Sequence, residues 1–172
     1  YFIPKRLFMA PVKLIEYLNG HKINTICFVA SALTIFTKLS VFEYVKPKYL
    51  RIIAFGGEVF PISHLKQWKD ACPKAKFINL YGATECTGMS SYYVVEDMKS
   101  IENGIPIGKP MPNTEILLLD EEGDPIVKLL PDTEISVIDE EGNPTVKQPA
   151  DMEIFQHDEK DLATGQPLPD TK

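Results

Sequence analysis

Tyrosine, glycine, threonine and glutamate side chains lie within five positions of one another in the segment Tyr81-Gly82-Ala83-Thr84-Glu85. A glycine lets the backbone approach a ligand closely, and an aromatic ring can stack on a purine. A threonine hydroxyl can donate a hydrogen bond to a phosphate, and a carboxylate supplies the hard oxygen that Mg²⁺ prefers. The same residue types also form turns and helix N-caps. The pattern therefore leaves two hypotheses, a nucleotide site and an ordinary turn.

The elements around this segment help to choose between them. Three apolar, β-branched runs predict buried strands, at residues 23–29, 50–55 and 76–80. Three further stretches predict helices, at residues 12–18, 32–39 (capped by Ser31) and 61–71. Strands that are apolar on both faces and alternate with helices are typical of a sheet covered on both sides. We therefore predict an α/β fold with a parallel sheet flanked by helices, followed by β-hairpins.

Two glycine-containing segments follow neighbouring predicted strands. Gly56-Gly57-Glu58 comes directly after the second strand, and Tyr81-Gly82 comes directly after the third. Open α/β sheets bind ligands at the carboxyl ends of their parallel strands. This agreement favours the ligand site over the ordinary turn.

Charge divides the chain into two parts. Residues 1–112 hold 14 basic and eight acidic side chains, whereas residues 113–172 hold four basic and 16 acidic ones. The basic side chains are scattered and form no arginine–aromatic cluster, which argues against nucleic-acid binding. Residues 112–128 and 131–147 repeat one pattern of strand, Asp-Glu-Glu-Gly turn and return strand, with a weaker copy at 150–161. We predict an α/β part at residues 1–98 and a β-rich part at residues 99–172.

Several classes of protein are disfavoured. No apolar run reaches the length of a membrane-spanning helix, and no G-x-G-x-x-G follows a predicted strand. The acidic turns lack the ligand spacing of an EF-hand calcium loop. Three cysteines without C-x-x-C spacing fit a reducing cytoplasm rather than a disulfide scaffold or a zinc site. Because the first residue is not methionine, we expect a piece of a longer cytoplasmic protein.

Three collinear motifs resemble those of the adenylate-forming enzymes. Residues 79–85 match the N-x-Y-G-x-T-E motif of that family, and residues 55–58 match its G-G-E strand end. Residues 105–110 are similar to its I-P-I-G-x-P segment, in a form that leans toward amino-acid adenylation domains and D-alanine–carrier-protein ligases. The resemblance covers about residues 1–128. It implies a fragment of an ATP-dependent ligase that activates a carboxylate, by preference an amino acid, as acyl-AMP for transfer to a carrier-protein thiol.

The resemblance also implies a role for each matched residue. Tyr81 would stack on adenine opposite the backbone of Gly56 and Gly57, with Asn79 near the adenine edge. The nucleotide-binding residues would be Gly56, Gly57, Glu58, Asn79, Tyr81, Gly82 and Thr84. Thr84, on the α-phosphate, and Glu85, as the Mg²⁺ ligand, would be the catalytic residues. The substrate pocket would be lined by Phe28, Ala54, Gly56, Leu80, Gly88 and Met89.

Two alternatives stay open: a fragment of an acyl-CoA ligase, which would use coenzyme A as the thiol, and a non-catalytic binding module that uses the acidic hairpins as its interaction surface. Family members also carry a phosphate loop ending in Pro-Lys-Gly, a Thr-Gly-Asp that holds the ribose, and a catalytic lysine in a C-terminal domain. The 172 residues contain neither of these two motifs and no counterpart of that domain. The resemblance therefore predicts ATP and Mg²⁺ as ligands, no nucleic-acid or membrane partner, and no activity from these residues alone.

Overall fold

The structure is a computed structural model, and it describes residues 1–86, 88–102, 104–114, 116–119 and 125–129. Within these residues the α-helices are α1 (Pro11–Gly20), α2 (Ala30–Lys38), α3 (Val41–Tyr44) and α4 (Ile62–Ala71). The strands are β1 (Thr25–Val29), β2 (Ile52–Gly56), β3 (Lys76–Tyr81), β4 (Ser91–Val95), β5 (Lys109–Pro110), β6 (Ile116–Leu119) and β7 (Pro125–Leu129). Short 3₁₀ helices form at Lys5–Met9, Thr84–Cys86 and Lys99–Ile101.

The main sheet has five strands in the order β1-β2-β3-β4-β5. Strands β1, β2 and β3 are parallel and alternate with helices, which confirms the predicted α/β fold. The sheet as a whole is mixed, because β4 runs antiparallel to β3 and β5 runs antiparallel to β4. A parallel return needs a crossover of about a dozen residues or more, and the connection from β3 to β4 is shorter than that. The chain therefore reverses direction after Tyr81.

The described helices bury their apolar side chains in a single core. Leu18 of α1, Leu33 of α2 and Leu65 of α4 join the same cluster as Phe55 and Phe77 of the sheet. Both crossovers step in the same direction along the sheet, so right-handed connections place α2 and α4 on the same face. The sequence predicted a sheet flanked by helices, and α2 and α4 flank the face of the sheet that carries Phe55 and Phe77.

The indole of Trp68 lies at the centre of that core. Its side chain is fully buried, and Nε1 donates a hydrogen bond of 2.9 Å to the carbonyl oxygen of Leu33. The rings of Phe36 and Phe42 pack against it edge-on, with centroids 5.3 and 4.7 Å away. The indole therefore joins α2, α3 and α4, as a core residue does.

Strands β6 and β7 form a two-stranded antiparallel sheet, which confirms the hairpin predicted for the first repeat copy. The later copies, at 131–147 and 150–161, lie outside the described residues, as does the acidic turn at 120–124. The division of the chain at residue 98 stays a prediction, and β5, which follows it, pairs with the main sheet. None of the described helices has the length and apolar character needed to cross a membrane.

Candidate functional site

The carboxyl ends of the three parallel strands lie side by side. Val29 of β1 is the register partner of Gly56 in β2, and Gly56 is in turn the partner of Leu80 in β3. The segments that follow β2 and β3 therefore leave the sheet at one edge. The structure places both glycine-containing motifs of the sequence at this edge.

Gly56 and Gly57 are glycines for two different physical reasons. A Cβ atom at Gly56 would meet the carbonyl oxygen of Leu80, because β2 and β3 approach closely at that point. Gly57 has a φ of +79°, in the region that side-chain-bearing residues rarely adopt. The turn after β2 thus presents bare backbone at the edge of the sheet, where a flat ligand can lie against it.

The carboxylate of Glu58 is engaged within the protein. Its Oε2 accepts a hydrogen bond of 3.1 Å from the amide of Ser31, and its Oε1 accepts one of 3.2 Å from the Ser31 hydroxyl. An anion at a helix N-terminus is favourable, and α2 begins at Ala30. Ser31 is therefore not the N-cap that the sequence predicted, because the helix begins at Ala30, two residues earlier than predicted, with Val29 as its N-cap. The Glu58 contact joins the turn after β2 to the start of α2.

The two ends of the connection between β3 and β4 lie close together. The amide of Ser90 donates to the carbonyl of Tyr81 at 2.8 Å, which closes the loop at its base. A Cβ atom at Gly82 would meet the Gly88 carbonyl oxygen and lie 2.7 Å from the Cα of Met89. Gly82 is therefore required by packing inside the loop, whatever it does toward a ligand.

The side chains of this loop that would do chemistry face solvent. Tyr81 is 54% exposed, and Met89 is 41% exposed. Thr84 and Glu85 are exposed on the short helix Thr84–Cys86. The tyrosine ring, the hydroxyl and the carboxylate are thus all accessible to a ligand.

Asn79 is held from the side by the third motif of the sequence. Its Nδ2 donates a hydrogen bond of 2.8 Å to the carbonyl oxygen of Pro106, and the side chain is half-buried. In β3 it lies two residues before Tyr81, so the two side chains leave the same face of the sheet. The side-chain amide of Asn79 therefore lies on the same face as the tyrosine ring, and its nitrogen is already hydrogen-bonded to Pro106.

Residues 104–111, which we name the strap, lie against β3 and β4. The Ser91 hydroxyl donates to the Ile107 carbonyl at 2.8 Å, and the Met111 amide donates to the Ser90 carbonyl at 2.8 Å. Gly108 has a φ of +79°, and a Cβ atom there would meet the Tyr92 carbonyl. The strap is thus fixed to β4 and the residue before it by contacts that follow Pro106 in the chain.

The strand register divides the predicted substrate pocket between two faces. Ala54, Gly56 and Leu80 lie on the face opposite the helical core. Phe28 is the partner of Phe55 and lies on the core face, where its ring packs 5.4 Å from that of Phe8. Of the predicted loop residues, Gly88 has a φ of +112° and open space around it, and Met89 follows it.

Cys27 takes the place on this face that the sequence assigned to Phe28. It is the register partner of Ala54 and is exposed. Strand alternation could have indicated this, since Cys27 and Ala54 are both one residue before an aromatic that enters the core. The register between β1 and β2, however, cannot be predicted from the sequence of either strand alone.

The charge at the edge suits a single bound cation with further ligands from a phosphate. The described part of the chain contains no group of three His, Cys, Asp or Glu residues placed to hold a metal by themselves. Mg²⁺ is commonly held by one or two carboxylates together with substrate phosphates, so the exposed Glu85 fits such an ion.

The thiol of Cys72 has a strongly altered pKa but lies away from this edge. Burial raises its pKa from 9.0 to about 12. It caps the end of α4, just before β3 begins, and therefore sits toward the amino edge of the sheet. A protonated, buried thiol there is a core residue and takes no part in the site.

A cavity of about 390 Å³ lies along β1 rather than at the strand ends, and is lined by residues that include Leu18, Ile23 and Phe28. It contains none of the glycine, threonine and glutamate residues of the motifs. We place the candidate site at the strand ends, because the residues that could do chemistry lie there and not along this cavity.

Comparison with known proteins agrees with this placement. A family model described as AMP-binding enzyme matches residues 1–128. The chain belongs to this family. The resemblance drawn from the three motifs is thereby confirmed, and all three lie within the matched part of the AMP-binding family model.

The chain is also similar to named proteins and to a solved structure. Bacitracin synthase 1 of Bacillus licheniformis is 33% identical over 119 residues, which make up 69% of this chain and 2% of that protein. The D-alanine–D-alanyl carrier protein ligase of the same species is 36% identical over 74 residues, 42% of this chain and 15% of that protein. The structure of PA1221, an NRPS protein containing adenylation and PCP domains, matches with a TM-score of 0.57 and 27% identity.

That structural match covers 67% of this chain and 23% of PA1221. The chain therefore spans less than a quarter of the length of each of these three AMP-binding relatives. The fold of its described residues is that of part of an adenylation domain.

Proposed function

We propose that the protein to which this chain belongs uses ATP to activate a carboxylate, an amino acid by preference, as an acyl-adenylate. The acyl group then passes to the phosphopantetheine thiol of a carrier protein. One observation carries the proposal: the Gly-Gly and Tyr-Gly-x-Thr-Glu segments meet at the carboxyl ends of adjacent parallel strands. The named relatives, a bacitracin synthase and a D-alanyl carrier protein ligase, support the choice of amino acid and of carrier.

The nucleotide base would lie between an aromatic ring and bare backbone. Tyr81 offers an exposed ring at the end of β3, and Gly56 and Gly57 offer backbone without side chains at the end of β2. Base–aromatic stacking is worth about 1–3 kcal/mol, so this contact contributes much of the affinity for the base. Gly82 keeps the loop beneath the ring folded, and Glu58 keeps the glycine turn attached to α2.

The phosphates would lie along the loop that follows Tyr81. The Thr84 hydroxyl would donate a hydrogen bond to the α-phosphate, and the Glu85 carboxylate would hold Mg²⁺. The ion neutralises phosphate charge when bound. A carboxylate oxygen of the substrate attacks the α-phosphorus, the bond to the β-phosphate oxygen breaks, and pyrophosphate leaves. Thr84 and Glu85 act by positioning and by charge, which supply most of the rate in phosphoryl chemistry.

The acyl group would lie on the face of the sheet opposite the helical core. Ala54 has a small side chain there and Gly56 has none, Leu80 gives an apolar surface, and Gly88 and Met89 border it from the loop. Cys27, rather than Phe28, reaches this face from β1. A floor of small and apolar residues, without a charged side chain among these, suits an uncharged acyl side chain.

The compartment and the domain division are parts of the same proposal. Cys27 and Cys72 are free thiols, which suits the reducing cytoplasm that we propose for the protein. We also propose that residues 1–98 carry the nucleotide site, and that residues 99–172 add the strap and the acidic hairpin repeat.

Titration of ATP with Mg²⁺ against the 172-residue chain tests the base site. We expect Tyr81→Ala to bind ATP about tenfold more weakly than wild type, since the loss of stacking costs roughly 1–3 kcal/mol. Tyr44→Ala is the matched control, because Tyr44 is also an exposed tyrosine, 76% accessible, but lies on α3. Equal affinities for wild type and Tyr81→Ala, or no binding by either, would contradict the proposed site.

A further inference from the structure

We propose that the later copies of the acidic hairpin repeat, residues 131–161, dock on the amino edge of the parallel sheet of the same chain. We name these residues the acidic segment. The surface that receives it, which we name the basic edge, consists of five exposed side chains beside the starts of β1, β2 and β3: Lys22, Lys48, Arg51, Lys74 and Lys76. The proposed nucleotide site lies at the opposite ends of these strands, so the inference does not rest on the proposed function.

Backbone hydrogen bonds place Arg51 and Lys76 on adjacent strands at this edge. The Arg51 amide donates to the carbonyl of Asn24, just before β1, at 2.7 Å. The Arg51 carbonyl accepts a hydrogen bond of 2.8 Å from the amide of Lys76, the first residue of β3. Parallel strands begin at the same edge and lie about 4.8 Å apart. Arg51 and Lys76 therefore leave neighbouring strands side by side, and Lys74 comes two residues before β3 begins.

Contacts of Asn19, near the end of α1, bring two lysines to the same edge. The Asn19 Oδ1 accepts a hydrogen bond of 2.8 Å from the amide of Lys48. The Asn19 carbonyl accepts one of 3.1 Å from the amide of Lys22, and β1 begins three residues after that lysine. Lys22 and Lys48 therefore lie together beside the start of β1.

The positive charge of the basic edge is not balanced within the segments that form it. No Asp or Glu occurs in these three segments, residues 19–25, 47–52 and 73–77. Glu96 and Asp97 follow β4, which lies on the side of β3 away from β2, and Asp97 accepts a hydrogen bond of 3.1 Å from the Lys99 amide. Three neighbouring strands span about 10 Å, roughly one Debye length at 0.1 M salt. The five positive charges therefore act together, and an acidic partner complements them.

The acidic segment has the opposite charge and belongs to the same chain. It contains ten acidic and two basic side chains. Single ion pairs at a surface contribute little, but a tethered partner has an effective concentration that reaches the millimolar range for short linkers. A second copy of the chain in dilute solution lacks this advantage. We therefore assign the basic edge to the chain's own acidic segment.

Length and charge both allow this docking. The acidic segment begins two residues after β7, which ends at Leu129. Extended chain spans about 3.3 Å per residue, so residues 131–161 can cover up to about 100 Å. A domain of about 100 residues is only about 35 Å across. The opposite edge of the sheet carries the exposed carboxylates of Glu58 and Glu85, which would repel the acidic segment.

Zero-length cross-linking of the full 172-residue chain tests the inference. A carbodiimide joins a lysine Nζ to a carboxylate as an amide and takes up the water that is lost, so it links only groups in contact. We expect each lysine of the basic edge to link to the acidic segment at least about fivefold more often than Lys13 or Lys66 does. Those two lysines are also exposed, but lie in the first halves of α1 and α4.

Salt provides a comparison on the wild-type chain alone. The Debye length falls from about 30 Å at 0.01 M salt to about 3 Å at 1 M. We expect the links between the acidic segment and the basic edge to decrease at least about fivefold over this range. Peptide mass spectrometry counts the linked pairs. Links that persist in 1 M salt would overturn the inference.

The double variant Lys48→Glu/Arg51→Glu reverses two charges of the basic edge and keeps the backbone hydrogen bonds of both residues. We expect the links from the remaining Lys74 and Lys76 to decrease at least about fivefold. Lys13→Glu/Lys66→Glu is the matched control, because it changes the net charge by the same amount, and its links should stay at the wild-type level. Fluorescence of the buried Trp68 verifies that both variants fold. If either does not, the salt comparison decides.

An equal mixture of ¹⁴N-labelled and ¹⁵N-labelled chains identifies the occupant. Links within one chain give peptide pairs of a single isotope, which is the result that we expect. Pairs of mixed isotope would show that a second copy supplies the acidic segment, and would overturn the inference. Links spread evenly over all exposed lysines, no links, or an equal loss of links in the two double variants would do the same. None of these results changes the proposed nucleotide site, which the ATP titration tests separately.

Discussion

Replacing Gly56 by alanine separates the role of this glycine in the sheet from its proposed role at a nucleotide. The added Cβ atom would meet the Leu80 carbonyl oxygen and lie 3.1 Å from the Leu80 carbonyl carbon and 3.2 Å from its Cβ. All of these atoms belong to or adjoin the backbone of the paired strand. The variant can therefore relieve the contact only by moving β2 away from β3.

The size of the effect follows from two opposing terms. Overpacking a well-packed interior costs typically about 1–3 kcal/mol. Alanine also restricts the unfolded chain more than glycine does, which stabilises the protein by about 0.4–1 kcal/mol. We therefore expect Gly56→Ala to lower the free energy of unfolding by about 1–2 kcal/mol without any ligand present.

Gly20→Ala is the matched control, since a Cβ atom there would meet nothing within 4 Å. In this variant only the effect on the unfolded chain remains, so its free energy of unfolding should rise by about 0.4–1 kcal/mol. For a chain of this size each kcal/mol shifts the melting temperature by about 2–4 °C, so the two variants should differ by several degrees. The single tryptophan, Trp68, is fully buried and reports unfolding by fluorescence in urea or on heating.

A Gly56→Ala variant as stable as Gly20→Ala would refute the reasoning. In that case the close approach of β2 and β3 at Leu80 would not constrain the position. The glycine would then have to be explained by a ligand alone.

Two further predictions concern reactivity. Because burial raises the pKa of the Cys72 thiol to about 12, we expect Cys72 to resist alkylation at pH 8 while the exposed Cys27 reacts, as peptide mass spectrometry would show. The folded chain also keeps a proton on Cys72 that the unfolded chain loses above pH 9, so the free energy of unfolding should fall as the pH rises from 9 toward 12. The 172-residue chain alone should show no ATP–pyrophosphate exchange with any amino acid, and measurable exchange would contradict the reliance of the reaction on the missing phosphate loop and lysine.

Local patterns in the sequence were enough for the three parallel strands and their helices. These patterns are apolar β-branched runs, a glycine pair and a Tyr-Gly pair. Each spans only a few residues, so it predicts local structure without knowledge of the tertiary fold. Because parallel strands end at one edge, the two motifs could be placed together in advance. The same patterns predicted Trp68-bearing α4 and the first acidic hairpin.

Contacts between distant segments could not be predicted from these local patterns. The hydrogen bond from Asn79 to Pro106 joins residues 27 positions apart, and the sequence of neither segment predicts that the other is its partner. The antiparallel β4 was also missed, since its alternation resembles any half-buried strand and its direction depends on the length of the preceding loop. Ser31 was assigned as a cap because its type suits one, whereas its partner is the carboxylate of Glu58.

The sequence by itself determined the family, the parallel strand–helix alternation and the edge at which chemistry gathers, because these depend on residue type and local spacing. Only the tertiary structure decided which face each side chain takes. A strand alternates its faces with a period of two, so a shift of one residue in register exchanges Phe28 for Cys27 on the substrate face. That register is set by the packing of Phe28 and Phe55 into the helical core, and it exists only when the whole sheet has formed.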